Sequence, residues 1–163
     1  MMVKFLLGVA MVAFTTFCGY LLSKKYRIRK RFFHELHAFN EQFLSEIAYS
    51  RRPIKEFVAG RIFYGEINDV LSDFFLSADE GVPFSFANDG EFAFLKEDEK
   101  RRVEEYFRML GRGDSASQKQ YFSSVKASLE KSRNDTESES KKYGDLYIKL
   151  GFLCGLLILI LIV

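Results

Sequence analysis

The sequence has few of the residues and patterns on which catalytic sites and β folds are built. It contains two cysteines, Cys18 and Cys154, and both lie in apolar stretches near the ends, so no disulfide framework supports the polar middle. No glycine-rich loop suited to binding phosphate is present, and no serine lies in a nucleophile elbow. No alternating stretch of useful length predicts a strand. These absences argue against nucleotide chemistry, serine catalysis and a β fold.

Histidine is almost as scarce. The two histidines, His34 and His37, lie three residues apart in the segment His-Glu-Leu-His. The zincin motif needs two histidines four residues apart with a glutamate beside the first, and no third ligand is evident here. We interpret the pair as the polar flank of an amphipathic helix. We therefore predict no metal, no cofactor, no catalytic residue and no small-molecule substrate, and hence a protein that is not an enzyme.

Long apolar stretches are present, one near each end. Residues 5–23 carry no charge, and a helix of about nineteen residues rises about 28 Å, close to the thickness of the hydrocarbon core of a bilayer. Residues 150–163 are shorter, but they reach about 27 Å when 146–149 are added and Lys149 extends to the interface. We predict transmembrane helices over residues 1–23 and 146–163.

Positive charge lies on the inner side of both stretches. Residues 24–52 contain eight Lys or Arg and three Glu, and Lys141, Lys142 and Lys149 precede the second stretch. Because Lys and Arg near a membrane end are retained in the cytoplasm, we predict that residues 24–145 are cytoplasmic and that both termini lie across the membrane. A cleaved signal peptide is the alternative for the first stretch, although basic residues after the apolar run would oppose export.

The same basic residues suggest a second class of function. Next to a membrane they attract anionic lipid, so the chain could be an autonomous membrane-surface module that binds lipid through this basic collar. Residues 66–99 reverse the charge, with ten Asp or Glu and one basic residue, Lys96. Since no basic patch interleaved with aromatic residues stands clear of the membrane, we expect no nucleic acid as a partner.

Helical spacing runs through the whole polar middle. Apolar residues recur every three or four positions along residues 28–47, 54–62, 67–75 and 103–110. A last stripe over residues 122–147 keeps this spacing but is polar in its middle, because residues 130–142 contain no large apolar residue. Residues 78–88 contain glycine, proline and two acidic residues and predict a loop or a short irregular helix. Pro53 ends the first of these helices and suits the first turn of the next. We predict an all-α fold: an antiparallel helical bundle over residues 24–145, flanked by N- and C-terminal transmembrane helices.

A glycine-containing segment, residues 110–114, separates the last two predicted helices of the middle. We interpret Gly111 as a left-handed cap that ends one helix and place Gly113 in the turn. Asp114 can accept amide hydrogens at the start of the final helix, and Gln118 would lie in the first turns of that helix, able to bond to the preceding one. The alternative is a corner that displays Arg112 to a partner.

Two further sets of residues are candidates for contacts. Arg51, Arg52 and Arg112 are charges at helix junctions, and we regard them as candidate partner-binding residues, although solvation alone would explain them. Gly151 and Gly155 lie four residues apart in the second apolar stretch. This small-xxx-small spacing lets helix backbones approach closely in lipid, although it also arises by chance in apolar segments that contain glycine.

Three segments together resemble one known family, stage III sporulation protein AB. They are residues 46–49 with 53–54, residues 110–114 with Gln118, and residues 150–157. The length of the chain and its two apolar ends agree with the same family. The resemblance fades over residues 65–96, where family members usually carry a tryptophan, because this chain has none.

The resemblance implies a function that spacing cannot show. The family belongs to the mother-cell half of the complex that links mother cell and forespore in endospore-forming bacteria. Its soluble domain is similar to the cytoplasmic domains of the inner-membrane platform protein of type II secretion and type IV pilus machines. By this analogy we expect a non-enzymatic platform component of a secretion-like channel complex, although similarity of fold does not establish function.

The resemblance also implies partners and a location. The expected partners are membrane lipid and other products of the stage III sporulation A operon, including the secretion ATPase-like protein AA. The expected location is the mother-cell membrane around the forespore, the outer forespore membrane. There the chain would cross twice, and its soluble domain would face the mother-cell cytoplasm.

Overall fold

The computed structural model describes residues 2–49, 53–60, 63, 65–86 and 92–162 of the chain, and all regular structure within them is helical. No strand occurs in these ranges, which confirms the predicted all-α class; the bundle arrangement stays a prediction. A π-helical turn, Ser140–Gly144, joins the last two helices. The helices in chain order are α1 (Met2–Tyr49), α2 (Ile54–Ala59), α3 (Glu66–Asp79), α4 (Glu97–Met109), α5 (Ser115–Glu139) and α6 (Asp145–Ile162).

The helices at the two ends are long and apolar enough to cross a membrane. The first candidate covers Leu6–Tyr49, and the second runs through Ser115–Leu161. In a soluble protein such apolar stretches would form the core. Here only 17% of the most apolar 18-residue segment of the first candidate is buried. The corresponding segment of the second candidate is 11% buried. Exposed apolar surface of this extent suits a lipid environment.

The chain forms two compact units. The terminal unit consists of Met1–Lys30 and Asn134–Val163, and the central unit of Arg31–Arg133. Helices α1 and α5 each contribute residues to both units. The terminal unit therefore holds polar residues on both sides of the π-helical turn as well as the apolar ends. The predicted division at residues 23 and 146 follows the membrane boundary and stays a prediction.

Aromatic side chains form most of the core of the central unit. Phe39 of α1 packs edge-on against Phe57 of α2, with ring centroids 5.8 Å apart. Phe43 lies 5.0 Å from Phe122 of α5 at an interplanar angle of 89°. Helices far apart in the sequence are thus held together by edge-to-face ring contacts. Each buried phenylalanine stabilises the fold by roughly 2–3 kcal/mol through burial alone.

The polar part of the terminal unit is held by tyrosines and an ion pair. The Tyr26 ring lies 5.6 Å from Tyr143 and 5.8 Å from Tyr147, measured between centroids. Arg29, whose side chain is only 6% exposed, forms an ion pair with Glu139. An arginine buried to this degree needs a negative partner, because an unpaired charge away from water is costly. This pair therefore joins the α1 and α5 segments of the terminal unit.

Candidate interaction site

The Leu110–Asp114 turn lies between α4 and α5, and two glycines shape it. Gly111 has φ 76° and Gly113 has φ 81°, both in the left-handed region. A side chain at either position would be strained, since L-residues with a Cβ atom rarely adopt this conformation. The side chain of Ile54, at the start of α2, lies 3.5 Å from where a Cβ atom on Gly111 would be. The turn is thus packed against α2.

Asp114 begins α5. Its Oδ1 accepts a hydrogen bond from the backbone N–H of Ser117 at 3.2 Å, as an N-cap residue does. Hydrogen bonding from Ser117 lowers the pKa of the Asp114 carboxyl, because these bonds favour its charged form. The Gln118 side-chain amide donates to the carbonyl of Gly113 at 3.5 Å, so its hydrogen bond stays within the turn and does not reach α4.

One cavity lies on the α2 side of the turn. It has a volume of about 300 Å³, and we call it the cap cavity. Pro53, the residue before α2, lines it, and its carbonyl accepts a hydrogen bond from the N–H of Phe57 at 3.0 Å. The buried side chain of Glu46 also contributes to the wall. The full lining is Phe43, Glu46, Ile47, Pro53, Ile54, Gly111, Gly113, Ser115 and Gln118.

The cap cavity brings together segments that are distant in the sequence. It joins the end of α1, the start of α2 and the turn before α5, which were singled out separately by their residue patterns. Among the candidate cap and turn residues, Pro53, Gly111, Gly113 and Gln118 all line it. These residues thus lie on one shared wall, where three chain segments meet.

A second cavity lies beside the turn, toward α3. It has a volume of about 290 Å³, and we call it the arginine cavity. Its lining combines apolar side chains with two guanidinium groups, those of Arg108 and Arg112. The lining residues are Phe74, Ala78, Gly81, Val82, Pro83, Phe84, Arg108, Leu110 and Arg112. The turn thus contributes Leu110 and Arg112 to the arginine cavity and Gly111 and Gly113 to the cap cavity.

The two arginines of this cavity differ in their contacts. The Nε of Arg108 donates to the Phe84 carbonyl at 2.9 Å, and the same guanidinium lies 3.7 Å from Glu104. Arg108 therefore holds the wall of the cavity in place. Arg112 is exposed, and its guanidinium has neither a hydrogen bond nor an ion pair within the described part of the chain. A free cation at the rim can bind a carboxylate from outside.

The remaining polar candidates lie elsewhere. Arg51 and Arg52 fall outside the described residues, so their proposed role stays a prediction. His34 is exposed, whereas His37 is buried and lies 3.9 Å from Glu41 through its Nδ1. The described ranges contain no group of three His, Cys, Asp or Glu residues arranged to hold a metal ion.

Gly151 and Gly155 face α1 inside the terminal unit. A Cβ atom on Gly151 would lie 2.5 Å from the carbonyl oxygen of Thr15, and one on Gly155 would lie 2.7 Å from the Cα atom of Val12. Gly19 of α1 is likewise pressed against the backbone of Tyr147. The two apolar helices therefore touch through their backbones, a contact that larger side chains would prevent.

Among the buried polar residues that the sequence patterns did not single out, Asn40 links three helices. Asn40 is completely buried, and its Nδ2 donates to the Phe122 carbonyl at 3.2 Å. Its Oδ1 accepts a hydrogen bond from the Tyr106 hydroxyl, also at 3.2 Å. The available signal was its position, since it lies between Phe39 and Phe43 and four residues after Leu36 on the apolar side of α1. A polar residue inside an apolar stripe usually has a buried partner.

Comparison with known proteins gives one consistent result. The family model described as stage III sporulation protein AB matches residues 4–163. The chain is similar to the stage III sporulation protein AB of Bacillus subtilis (strain 168), with 27% identity over 170 residues that cover 99% of each chain. No solved structure matches the chain significantly.

Proposed function

This chain belongs to the stage III sporulation protein AB family, and we propose that it is a membrane platform in the complex linking mother cell and forespore. The family assignment supports a role in sporulation. The platform role is the finer part: the terminal unit would anchor the chain in the outer forespore membrane, and the central unit would bind other proteins of the complex. We propose that the chain does this without catalysing a reaction.

The observation that carries this proposal is the exposure of apolar side chains on both terminal helices. Leu6 and Phe14 of α1 are 74% and 63% exposed, and Leu153 and Leu157 of α6 are 59% and 61% exposed. Water would make this surface costly, whereas lipid tails would cover it at no cost. A chain embedded at both ends holds its central unit next to the membrane, as a platform protein must.

The orientation follows from charge. Lys24, Lys25, Lys141 and Lys142 are exposed and lie on the inner side of the two apolar segments. Positive residues in such positions are retained in the cytoplasm, so the central unit would face the mother-cell cytoplasm. There it could reach a soluble ATPase. The proposed partners are the secretion ATPase-like protein AA and other membrane products of the same operon.

Co-purification from sporulating cells tests the platform role. The full chain, extracted with a mild detergent, should bring down the ATPase-like protein AA and membrane products of the operon in reproducible ratios. The control is an unrelated protein with two spans, expressed to the same level in the same cells. Recovery of the chain alone, under conditions in which the other products remain associated with one another, would contradict the proposal.

A second candidate function is favoured by cation–aromatic pairs near the predicted interface. The Arg27 guanidinium lies 4.9 Å from the centroid of the Tyr20 ring, and the Lys142 ammonium lies 5.2 Å from that of Tyr143. Such residues suit the headgroup region of a membrane. If the chain is a lipid-binding module, replacing Lys24, Lys25 and Arg27 by Gln should abolish enrichment of anionic lipid around the reconstituted protein. A platform should keep its protein partners after this change.

A further inference from the structure

We propose that the arginine cavity binds an acidic segment of a partner protein. One large apolar side chain of that segment would occupy the cavity, and a neighbouring carboxylate would pair with Arg112. This inference rests on the proposed platform function, because it identifies the chemistry by which the central unit recognises a partner. The occupant is a segment with Asp or Glu next to a Leu, Ile, Met or Phe residue.

The apolar part of the cavity supplies the anchor site. Among the lining residues, Phe84 and Leu110 are each 3% exposed, while Val82 is 56% exposed. The cavity volume is about 290 Å³. This lies at the lower limit for pockets that hold small molecules, whose volumes start at about 300 Å³. It is better matched to one inserted side chain, and an apolar anchor in a pocket is typical of the energetic centre of a protein interface.

The charge at the rim selects the partner. Glu104 is already bound, because it accepts a hydrogen bond from the N–H of Phe86 at 2.9 Å and lies near Arg108. Asp79 forms an ion pair with Lys55. Within the described residues the Arg112 guanidinium has no partner, and this planar group can hold a carboxylate through two parallel hydrogen bonds. The positive charge of Arg112, beside the apolar side chains that form part of the lining, thus complements a segment that is both acidic and apolar.

The backbone at one edge of the cavity is already hydrogen-bonded. The N–H groups of Glu80, Gly81 and Val82 donate to carbonyls at the end of α3 at distances of 2.9–3.3 Å. Residues 80–82, the first after α3, are therefore held by backbone hydrogen bonds. Binding would therefore require little further ordering of these three residues, and the ordering of loops is one of the free-energy costs of association.

Site-specific photo-crosslinking tests this inference in the full chain in sporulating cells. A photoreactive amino acid replaces Val82, and mass spectrometry identifies the crosslinked peptide. The expected peptide comes from another protein and has Asp or Glu next to a large apolar residue. Arg112→Glu should reduce its yield at least about tenfold, since a charge-assisted pair is replaced by repulsion. Lys119→Glu, the same charge change at an exposed position of α5, should leave the yield unchanged.

A compensating exchange then completes the test. Replacing the acidic residue of the crosslinked peptide by Arg should restore the yield in the Arg112→Glu chain. Four results would overturn the inference: a peptide from a second copy of this chain, a crosslink to lipid, a peptide without an acidic residue, or an unchanged yield in Arg112→Glu. Circular dichroism of the purified variant confirms that it is folded.

The outcome separates this inference from the platform proposal. If the operon products co-purify with both the wild-type and Arg112→Glu chains and no acidic peptide is crosslinked, the platform stands and the arginine cavity is not its binding site. If the products do not co-purify but an acidic peptide is captured in an Arg112-dependent way, the cavity binds as proposed and the platform assignment is wrong. If neither result is obtained, both are wrong.

Discussion

The Tyr106 hydroxyl donates a hydrogen bond to the side-chain oxygen of Asn40 in the interior of the central unit, 3.2 Å away. Tyr106 is 1% exposed and Asn40 is 0% exposed, so water cannot replace either partner. Burial raises the pKa of the Tyr106 phenol well above its ordinary value, which keeps it protonated and able to donate. The bond therefore fixes the register of α1 against α4.

Removing this hydrogen bond should lower the stability of the chain by more than the net free energy of one hydrogen bond. We expect Asn40→Ala to cost about 3 kcal/mol, because it leaves the Tyr106 hydroxyl buried without a partner and removes the side-chain hydrogen bond to the Phe122 carbonyl. Tyr106→Phe should cost about 2 kcal/mol. Chemical denaturation of the full chain in mild detergent measures both changes, with the exposed Gln120→Ala as the control.

The double variant decides whether the two residues act as a pair. If they do, Asn40→Ala with Tyr106→Phe should cost less than the sum of the single changes, by on the order of 1 kcal/mol. Strict additivity would mean that the residues contribute independently and that the hydrogen bond has no role in holding α1 against α4.

A second prediction concerns the two apolar helices of the terminal unit. Gly151→Leu should force α6 away from α1, because the added side chain would meet the Thr15 carbonyl, and we expect a cost of about 2 kcal/mol. Ala13→Leu is the matched control, since it adds a similar volume at an exposed position of α1. Only the first change should separate the helices.

Disulfide formation reports this separation. The Ser23 hydroxyl lies 3.4 Å from where a Cβ atom on Gly144 would be, so Ser23→Cys with Gly144→Cys should crosslink readily. Cys18 and Cys154 are replaced by Ser in this background. Gly151→Leu should slow crosslinking, whereas Ala13→Leu should not. Equal rates in both variants would show that the glycine contact does not hold the helices together.

Glu35 should make stability depend on pH. Burial raises the pKa of the Glu35 carboxyl above the ordinary 4.5; Arg31 opposes this shift, and Glu66 adds to it. The folded chain therefore holds the Glu35 proton more tightly than the unfolded chain does. The contribution of this group is fully present below pH 4.5 and is lost as the pH rises through the folded-state pKa.

Thermal unfolding followed by circular dichroism measures this dependence in detergent. Glu35→Gln should stabilise the chain relative to wild type above the titration range and lose that advantage as the pH falls below 4.5. Glu130→Gln, at an exposed position, controls for the removal of one carboxylate. A Glu35→Gln advantage that grows toward acidic pH would have the wrong sign and would exclude this role.

The periodicity of the sequence predicted the helices but not which helices pack against one another. The spacing of Phe32, Leu36, Phe39 and Phe43 predicted one buried face of α1, and all four are buried. Pro53 marked the boundary before α2. These features depend on neighbours three or four residues away, so they can be read along the chain.

The long-range features could not be read in the same way. Asn40 is hydrogen-bonded to Phe122, which lies 82 residues later in the sequence. The arginine cavity forms only where α3, the residues after it and the turn before α5 come together. The pattern of residues 78–88 predicted a loop or a short irregular helix and no cavity, yet Val82 and Phe84 line one. Such pairings depend on how the whole chain packs, which the periodicity of single segments does not determine.

The most direct test of the account is the side of the membrane on which the central unit lies. In a chain with Cys18→Ser and Cys154→Ser, a single cysteine replaces Lys119 in α5 or Met2 at the start of α1, and intact non-sporulating cells receive a membrane-impermeant maleimide. We predict labelling at position 2 in intact cells and at position 119 only after the membrane is opened. Labelling of position 119 in intact cells would place the central unit outside the cytoplasm and contradict the platform proposal.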